Sequence, residues 1–261
     1  GRMGFLGDTL WVRDDGTRRV TFYNSTGEYL KDLRFPEVPG LDDEAVRATF
    51  VTLAAQGKAL LSTTAQIRSE LEGTDHPFPI LVLPRDGGTP DPLAFLNTAH
   101  DRAMFITASG GEVQAIEILR QVFSDVTLWD AEADGDGIVV VERHRVTDTN
   151  PQYRLTRVDL SGDTVFSVAH PYQPVPIAPE RIDSLLTRYT RSGRSEGEVR
   201  DVLFLPDHYP PVSQLVTGTD GSVWVRREEV PERPVAWDVF SREGALLGAL
   251  HLTDLVGWHP L

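Results

Sequence analysis

The stretch Gly7-Asp-Thr-Leu-Trp-Val-Arg-Asp-Asp-Gly-Thr-Arg-Arg-Val-Thr-Phe-Tyr-Asn-Ser-Thr-Gly27 decides how the rest of the chain is read. Thr9 to Arg13 reads as a strand, a polar turn follows, Arg19 to Asn24 reads as a second strand, and Gly27 marks the next turn. Tyr29 to Phe35 supplies a third strand. The same order returns near the other end. There Asp220-Gly-Ser-Val-Trp-Val-Arg226 leads to Val235-Ala-Trp-Asp-Val-Phe-Ser241, then to Gly244 and to Ala245 through Leu252. A recurring strand, turn, strand, glycine, strand unit predicts a β-propeller or a related array, because one such unit cannot bury its apolar face alone.

Two further modules lie between these. One begins at Ala48-Thr-Phe-Val-Thr-Leu-Ala-Ala55, turns at Gln56-Gly57, returns as Lys58 to Ala65, and resumes with Phe78 to Leu83 and Pro92 to Asn97. Prolines at 77, 79 and 84 predict that the Phe78 segment is an edge or bulged strand. The other module starts at Val126, turns at Asp134-Gly-Asp-Gly137, and continues through Ile138 to Glu142, Tyr153 to Leu160 and Thr164 to His170. Residues 100–122 fit no module and read as an extra hairpin or a degenerate blade. Near 178–205 the period changes: Pro179 suits a first helical position, and Ile182, Leu185, Leu186 and Tyr189 recur at helical spacing.

Modules of about 45 residues are the size of propeller blades, and rings commonly hold about 4–8 of them. The expected fold is therefore one all-β domain over residues 1–261, a propeller of four to six four-stranded blades with a helical insertion. The first module shows no innermost strand of its own, whereas Leu255 to Leu261 reads as an innermost strand without a blade. Either that strand completes the first blade, or the chain is truncated at both ends of a larger ring. Within the blades, Trp11, Val20 and Phe22 are expected to face inward, and Trp224 and Trp237 to be core as well.

The 261 residues carry a net charge of −14, which argues against a nucleic-acid partner that would need a basic face. There is no cysteine, so disulfides, thiolate nucleophiles and Cys-ligated zinc are excluded. No apolar run approaches the ~18 residues of a membrane-spanning helix.

The modules resemble the six-bladed propellers of the NHL-like type found in bacteria. The likeness is carried by Gly7-Asp-Thr-Leu-Trp-Val12 with Arg18-Arg-Val-Thr-Phe-Tyr23, by Ser161-Gly-Asp-Thr-Val-Phe166, and by Asp220-Gly-Ser-Val-Trp-Val-Arg226. The resemblance implies a periplasmic or extracellular protein with a signal segment upstream, acting as a binding or scaffolding module. Related rings include calcium-dependent gluconolactonase-type hydrolases and amidating-type lyases, but no motif here lets their metal ligands be carried over.

Signals for chemistry are sparse. Glu132-Ala-Asp-Gly-Asp-Gly137 comes nearest to a calcium loop, yet its twelfth position is Arg143 where an EF-hand has a bidentate Glu, so it reads as an Asp/Gly turn and leaves calcium without support. Gly193-Arg-Ser-Glu-Gly197 matches the G-x-S-x-G letters but lies in a polar break, not on a strand-to-helix elbow. The seven histidines, at 76, 100, 144, 170, 208, 251 and 259, form no local metal spacing. Asp75-His76 and Asp207-His208 pair an acid with an imidazole in proline-flanked connections, where functional loops also sit. Trp129 falls on an innermost strand beside Asp130, where a side chain can line a channel.

The sequence thus offers Trp129, Asp130, Asp207 and His208 as ligand-binding candidates, with no catalytic residue, metal ligand or cofactor assigned. Its first functional expectation is a non-catalytic exported module that docks a protein partner, as part of a larger envelope assembly. The alternatives are a metal-dependent hydrolase or lyase at the channel mouth and a carbohydrate or small-ligand binder.

Overall fold

Three turns of one design fold the outer half of the blades. Asp159 ends a strand and Asn24 and Ser241 directly follow one, each three residues before a glycine. Each side chain accepts hydrogen bonds from the backbone N–H groups two and four residues on. For Asn24 these are Thr26 at 3.0 Å and Glu28 at 2.8 Å, and for Asp159 they are Ser161 at 2.8 Å and Asp163 at 3.1 Å. For Ser241 they are Glu243 at 3.2 Å and Ala245 at 3.3 Å. Gly27, Gly162 and Gly244 take φ of 82°, 89° and 84° in the fourth position of these turns, a region that strains other residues. The pairing register slips by one residue beside each turn, at Phe22/Tyr23, Arg157/Val158 and Val239/Phe240.

The computed structural model describes residues 2–14, 16–17, 19–34, 48–55, 58–63, 78–84, 89–96, 102–109, 112–143, 150–191, 193–228 and 234–252. Blade 1 holds β1 (Arg2–Leu6), β2 (Thr9–Asp14), β3 (Arg19–Tyr23) and β4 (Tyr29–Arg34). Blade 2 holds β5 (Ala48–Leu53), β6 (Ala59–Thr63), β7 (Phe78–Leu83) and β8 (Asp91–Leu96). A separate two-stranded hairpin, β9 (Arg102–Ser109) with β10 (Glu112–Arg120), follows. Blade 3 holds β11 (Leu128–Ala131), β12 (Gly137–Arg143), β13 (Gln152–Asp159) and β14 (Thr164–Pro171). After the helices α1 (Pro179–Thr190) and α2 (Glu196–Val202), blade 4 holds β15 (Val212–Thr217), β16 (Val223–Arg227), β17 (Val235–Phe240) and β18 (Leu246–Leu252). Each blade is an antiparallel meander in chain order. The fold is all-β and propeller-like, with four four-stranded blades among the described residues and one short helical insertion.

The blades pack on one another in the order of the sequence, and side-chain alternation does the sorting. In β6, Leu61 joins Trp11, Val20 and Phe22 of blade 1, whereas its neighbour Leu60 joins Ile138 and Val140 of blade 3. In β12, Ile138 and Val140 face blade 2, while Val139 and Val141 face Val212, Val223 and Val225 of blade 4. Main-chain contact fixes these seams where side chains would keep the sheets apart. The Ala55 N–H donates to the Gly135 carbonyl at 2.8 Å, and a Cβ on Gly135 would sit 2.8 Å from that same nitrogen.

Several expectations are corrected. Blade 1 has its own innermost strand, β1, whose Gly4 lies beneath the Trp11 ring; a Cβ there would meet that ring at 2.5 Å. Leu255 to Leu261, which one of the two readings put in that place, lies outside the described residues. Of the two readings of the Phe78 segment, edge or bulged, the edge is overturned, since β7 pairs with both β6 and β8, while a register irregularity does fall within it. Pro79 is tolerated there because it stands beyond the last β6 pair, Ser62 with Ile80, and a register slip follows at Ile80/Leu81. Trp11 is buried as expected, but Trp224 and Trp237 are only half-buried. Register puts Trp224 opposite Val216 and Trp237 opposite Leu250, on the face of blade 4 that points away from blade 3. Met3 and Phe5 occupy the corresponding outer face of blade 1 and are 74% and 70% exposed.

The insertion has its own small core of Phe123, Ile177, Leu185, Leu186, Val199, Leu203 and Tyr209. Gln121 locks it to the segment after the hairpin, donating to the Val202 carbonyl and accepting from the Phe204 N–H, both at 3.0 Å. Ser195 caps α2: its hydroxyl accepts from Glu198 N–H while the Glu198 carboxylate accepts from Ser195 N–H at 2.8 Å, a capping box. The serine of the G-x-S-x-G match is therefore a helix cap.

These burials set a contrast that equilibrium urea unfolding can read. Leu61→Ala, at a fully buried site between two blades, is expected to cost about 2–5 kcal/mol. Phe5→Ser, on the uncovered face, is expected to change stability by no more than about 0.5 kcal/mol.

Candidate functional site

At the seam of blades 3 and 4, below the helical insertion, strand alternation places an acid among apolar neighbours. Along β17, Ala236, Asp238 and Phe240 are buried in turn. A carboxylate in that position needs partners, and it has them. Arg227, at the end of β16, grips it with two bonds, Nη2 to Oδ1 at 2.6 Å and Nε to Oδ2 at 3.1 Å. Tyr153, at the start of β13, donates its hydroxyl to Oδ2 at 3.1 Å, bridging from one blade to the next. His170, near the end of β14, brings Nε2 to 3.9 Å from the same oxygen. Its ring packs against Tyr153 at 5.1 Å and edge-on to Phe240 at 5.4 Å between centroids.

The electrostatics follow from burial. Burial pushes the Tyr153 hydroxyl far above the ordinary phenol range, reinforced by the Asp238 charge beside it. Burial also holds His170 below its usual 6.5, and the attraction of Asp238 only partly opposes this, so the imidazole is neutral at pH 7. The hydrogen bond to Asp238 strengthens the proton affinity of Arg227. Glu228, next along the chain, is drawn toward its neutral form by burial, with Arg143 and Arg226 pulling the other way.

These residues line a cavity of about 390 Å³. The rest of its wall comes from Pro234, Ala236 and His251 of blade 4 and from the chain on either side of the helices: Pro171, Tyr172, Gln173 and Val175 before them, and Tyr209, Pro210 and Pro211 after them. The linkers are held together by main-chain bonds, Tyr209 N–H to the Val175 carbonyl at 3.0 Å and Ile177 N–H to the Asp207 carbonyl at 2.9 Å. Tyr172 lines this wall with other atoms, its hydroxyl being buried with no hydrogen-bond partner among the described residues. Among the described residues, no three His, Asp or Glu side chains are arranged to hold a metal ion.

The structure separates the candidates that the sequence offered. Asp207 and His208 lie on the linker beside the cavity, where His208 bridges to Pro176 and the following residue, Tyr209, joins the wall. Trp129 and Asp130 are not part of that wall. Trp129 packs half-buried against the core between blades 2 and 3. Asp130 ties blade 3 to blade 4, accepting from the Thr217 N–H at 2.8 Å and the Thr217 hydroxyl at 3.1 Å, and burial raises its carboxyl. The acids of the Glu132 to Gly137 turn face arginines: Glu132 pairs with Arg157 at 2.7 Å, and Asp134 with Arg242 at 2.8 Å. Sequence reasoning missed Tyr153, His170, Tyr172, Arg227 and Asp238. The signal for Asp238 was present in Val-Ala-Trp-Asp-Val-Phe, where the acid occupies the apolar phase of an alternating strand.

No family model matches the chain, and no curated protein matches it. Among solved structures it is similar to a protein of unknown function from Bacteroides caccae, at 12% identity and TM-score 0.29, over 94% of this chain and 78% of that one. It is similar to a eukaryotic initiation factor at 10% identity and TM-score 0.27, over 96% of this chain and 65% of that one. It is also similar to a quinonprotein alcohol dehydrogenase-like protein from Bacteroides thetaiotaomicron at 10% identity and TM-score 0.28, over 95% of this chain and 65% of that one. The propeller-like architecture rests on the chain's own strand order and blade packing.

The depressed His170 value carries a sign. An unfolded chain binds this proton near pH 6.5 while the folded one resists it, so stability contributed by neutral His170 is present above about pH 6.5 and is lost as pH falls below it. Urea midpoints at pH 7.5 and 5.5 are expected to drop more for the natural chain than for His170→Phe. Equal drops would contradict the assignment.

Proposed function

We propose that the chain is a non-catalytic binding module whose recognition site is the cavity at the seam of blades 3 and 4. The observation that carries this reading is the mutual engagement of the ionisable groups. Asp238 is held by Arg227 and Tyr153, which leaves it poorly placed to accept a substrate proton, and the Tyr153 hydroxyl beside His170 is already donated to Asp238. What remains is a shaped, half-apolar cavity with a few fixed polar groups, within the range of about 300–1,000 Å³ usual for ligand sites.

A protein partner is the second reading, favoured by a different observation. Met3 and Phe5 on the outer face of blade 1, and Val216 and Leu250 on that of blade 4, are exposed apolar side chains on sheet faces of the kind that other blades cover. The NHL-like blade motifs support an exported setting for such a module.

The binding reading is tested with a panel of chromogenic esters, lactones and sugar acids, assayed beside thermal denaturation with the same compounds. The expected result is a concentration-dependent rise in Tm with at least one compound and no turnover of any. Turnover that disappears in Asp238→Asn while the fold is retained would overturn it.

A further inference from the structure

Resting on the reading of the uncovered sheet faces as docking surfaces, we propose that the open face of blade 4 takes blade 1 of a second copy of this chain. Two copies joined twice in this way close one ring from the four described blades of each. Every seam inside the chain joins two different faces. Trp11 of blade 1, Leu60 of blade 2 and Val139 of blade 3 point to the following blade. They meet Leu61, Ile138 and Val223, which point to the preceding one.

Strand register carries this rule to the two end blades. Phe22, Arg157 and Val239 each stand two residues before the shared turn, and they pair with Trp11, Val139 and Trp224. Trp224 is thus the forward-facing residue of blade 4, with Trp237 and Val239 on its side of the sheet. One residue along, Tyr23, Val158 and Phe240 pair with Leu10, Ile138 and Val223. Leu10 therefore faces backward, beside Phe5 and Met3. Burial follows the same positions. Trp11, Val139, Ile138 and Val223 are at most 6% exposed, whereas Trp224 and Leu10 are half-buried and Phe5 is 70% exposed. One chain carries both halves of an unmade seam, the forward half on blade 4 and the backward half on blade 1.

Closure and charge both favour a second copy as the occupant. A contact from blade 4 to the next copy's blade 1 is head-to-tail, and such contacts close into a ring or run on as a filament. Rings commonly hold about 4–8 blades, so two copies of four reach that limit and three exceed it. A net charge of −14 on each copy opposes association, but the excess is kept off these faces. On blade 1, Asp14 and Asp32 are matched by Arg19 and Arg34, with Arg19 and Asp32 paired at 3.4 Å. On the strands of the blade 4 face, the charged side chain is Arg226.

The seam of blades 3 and 4 supplies the probe. Asp130 and Thr217 touch there, and by register Val216 and Phe5 hold the same places in blades 4 and 1. The full chain with Phe5→Cys and Val216→Cys, oxidised under native conditions, is expected to form disulfides between two copies and none within one. By light scattering, the mass of the natural chain is expected to rise with concentration to twice the 29.0 kDa of one chain and no further. Phe5→Glu is expected to raise the dimer Kd at least about tenfold with its far-UV circular dichroism unchanged. The urea midpoint should climb with protein concentration for the natural chain and not for Phe5→Glu. The small stability change given for Phe5→Ser holds for the single chain, below the dimer Kd. A disulfide within one chain would overturn the second copy and the docking reading together, because blade 4 would then close on its own blade 1. A chain that stays single up to its solubility limit, with both cysteines reduced and open to maleimide, would overturn the second copy and leave the faces free for another partner. Species larger than two copies would overturn the closed ring.

Discussion

The second strand of each interior blade is buried on both faces, and the architecture depends on that demand. Leu60 and Leu61 are adjacent in β6 and both fully buried, yet they pack against different blades. Val139 and Val140 repeat the arrangement in β12. A strand of this kind leaves no side for water, so its sheet must have a sheet on either side. Two such strands in succession force at least four sheets into order. Burying a side chain of this size stabilises by about 1.5–3 kcal/mol, far more than any exposed ion pair on these blades.

The same packing positions the candidate site. Blade 3 contributes Tyr153 and His170, blade 4 contributes Arg227 and Asp238, and the cluster exists only because the two sheets meet. The buried carboxylate is not in itself a source of stability, since its desolvation offsets much of the attraction to Arg227. Its effect is on geometry: one acid fixes an arginine, a tyrosine and a histidine at the floor of a cavity. The helical insertion supplies the rest of the wall, and Gln121 and the paired linkers hold it over the seam.

Much of the fold was legible because it is written in local chemistry. Glycine three residues after Asn24, Asp159 and Ser241 announces one turn three times, and Pro179 with the Ile182, Leu185, Leu186 and Tyr189 spacing announces the helix. β1 was missed because Arg-Met-Gly-Phe-Leu is short and its glycine marks close packing under Trp11, not a turn. Trp224 and Trp237 misled because burial of a strand's second face depends on whether another sheet covers it, which no local pattern records. The site was less legible for the same reason. Tyr153 and Asp238 stand 85 positions apart, and only the stacking of blades brings hydroxyl and carboxylate to 3.1 Å.

Because the chain has no cysteine, blade order can be read by a single engineered pair. Asp130 and Thr217 lie on the innermost strands of blades 3 and 4 and touch through the 2.8 Å bond to the Thr217 backbone. Asp130→Cys with Thr217→Cys, oxidised under native conditions and followed by peptide mass spectrometry, is expected to give an intramolecular disulfide. A pair that remains reduced in the folded protein, or that joins only between separate molecules, would contradict the packing of these blades side by side.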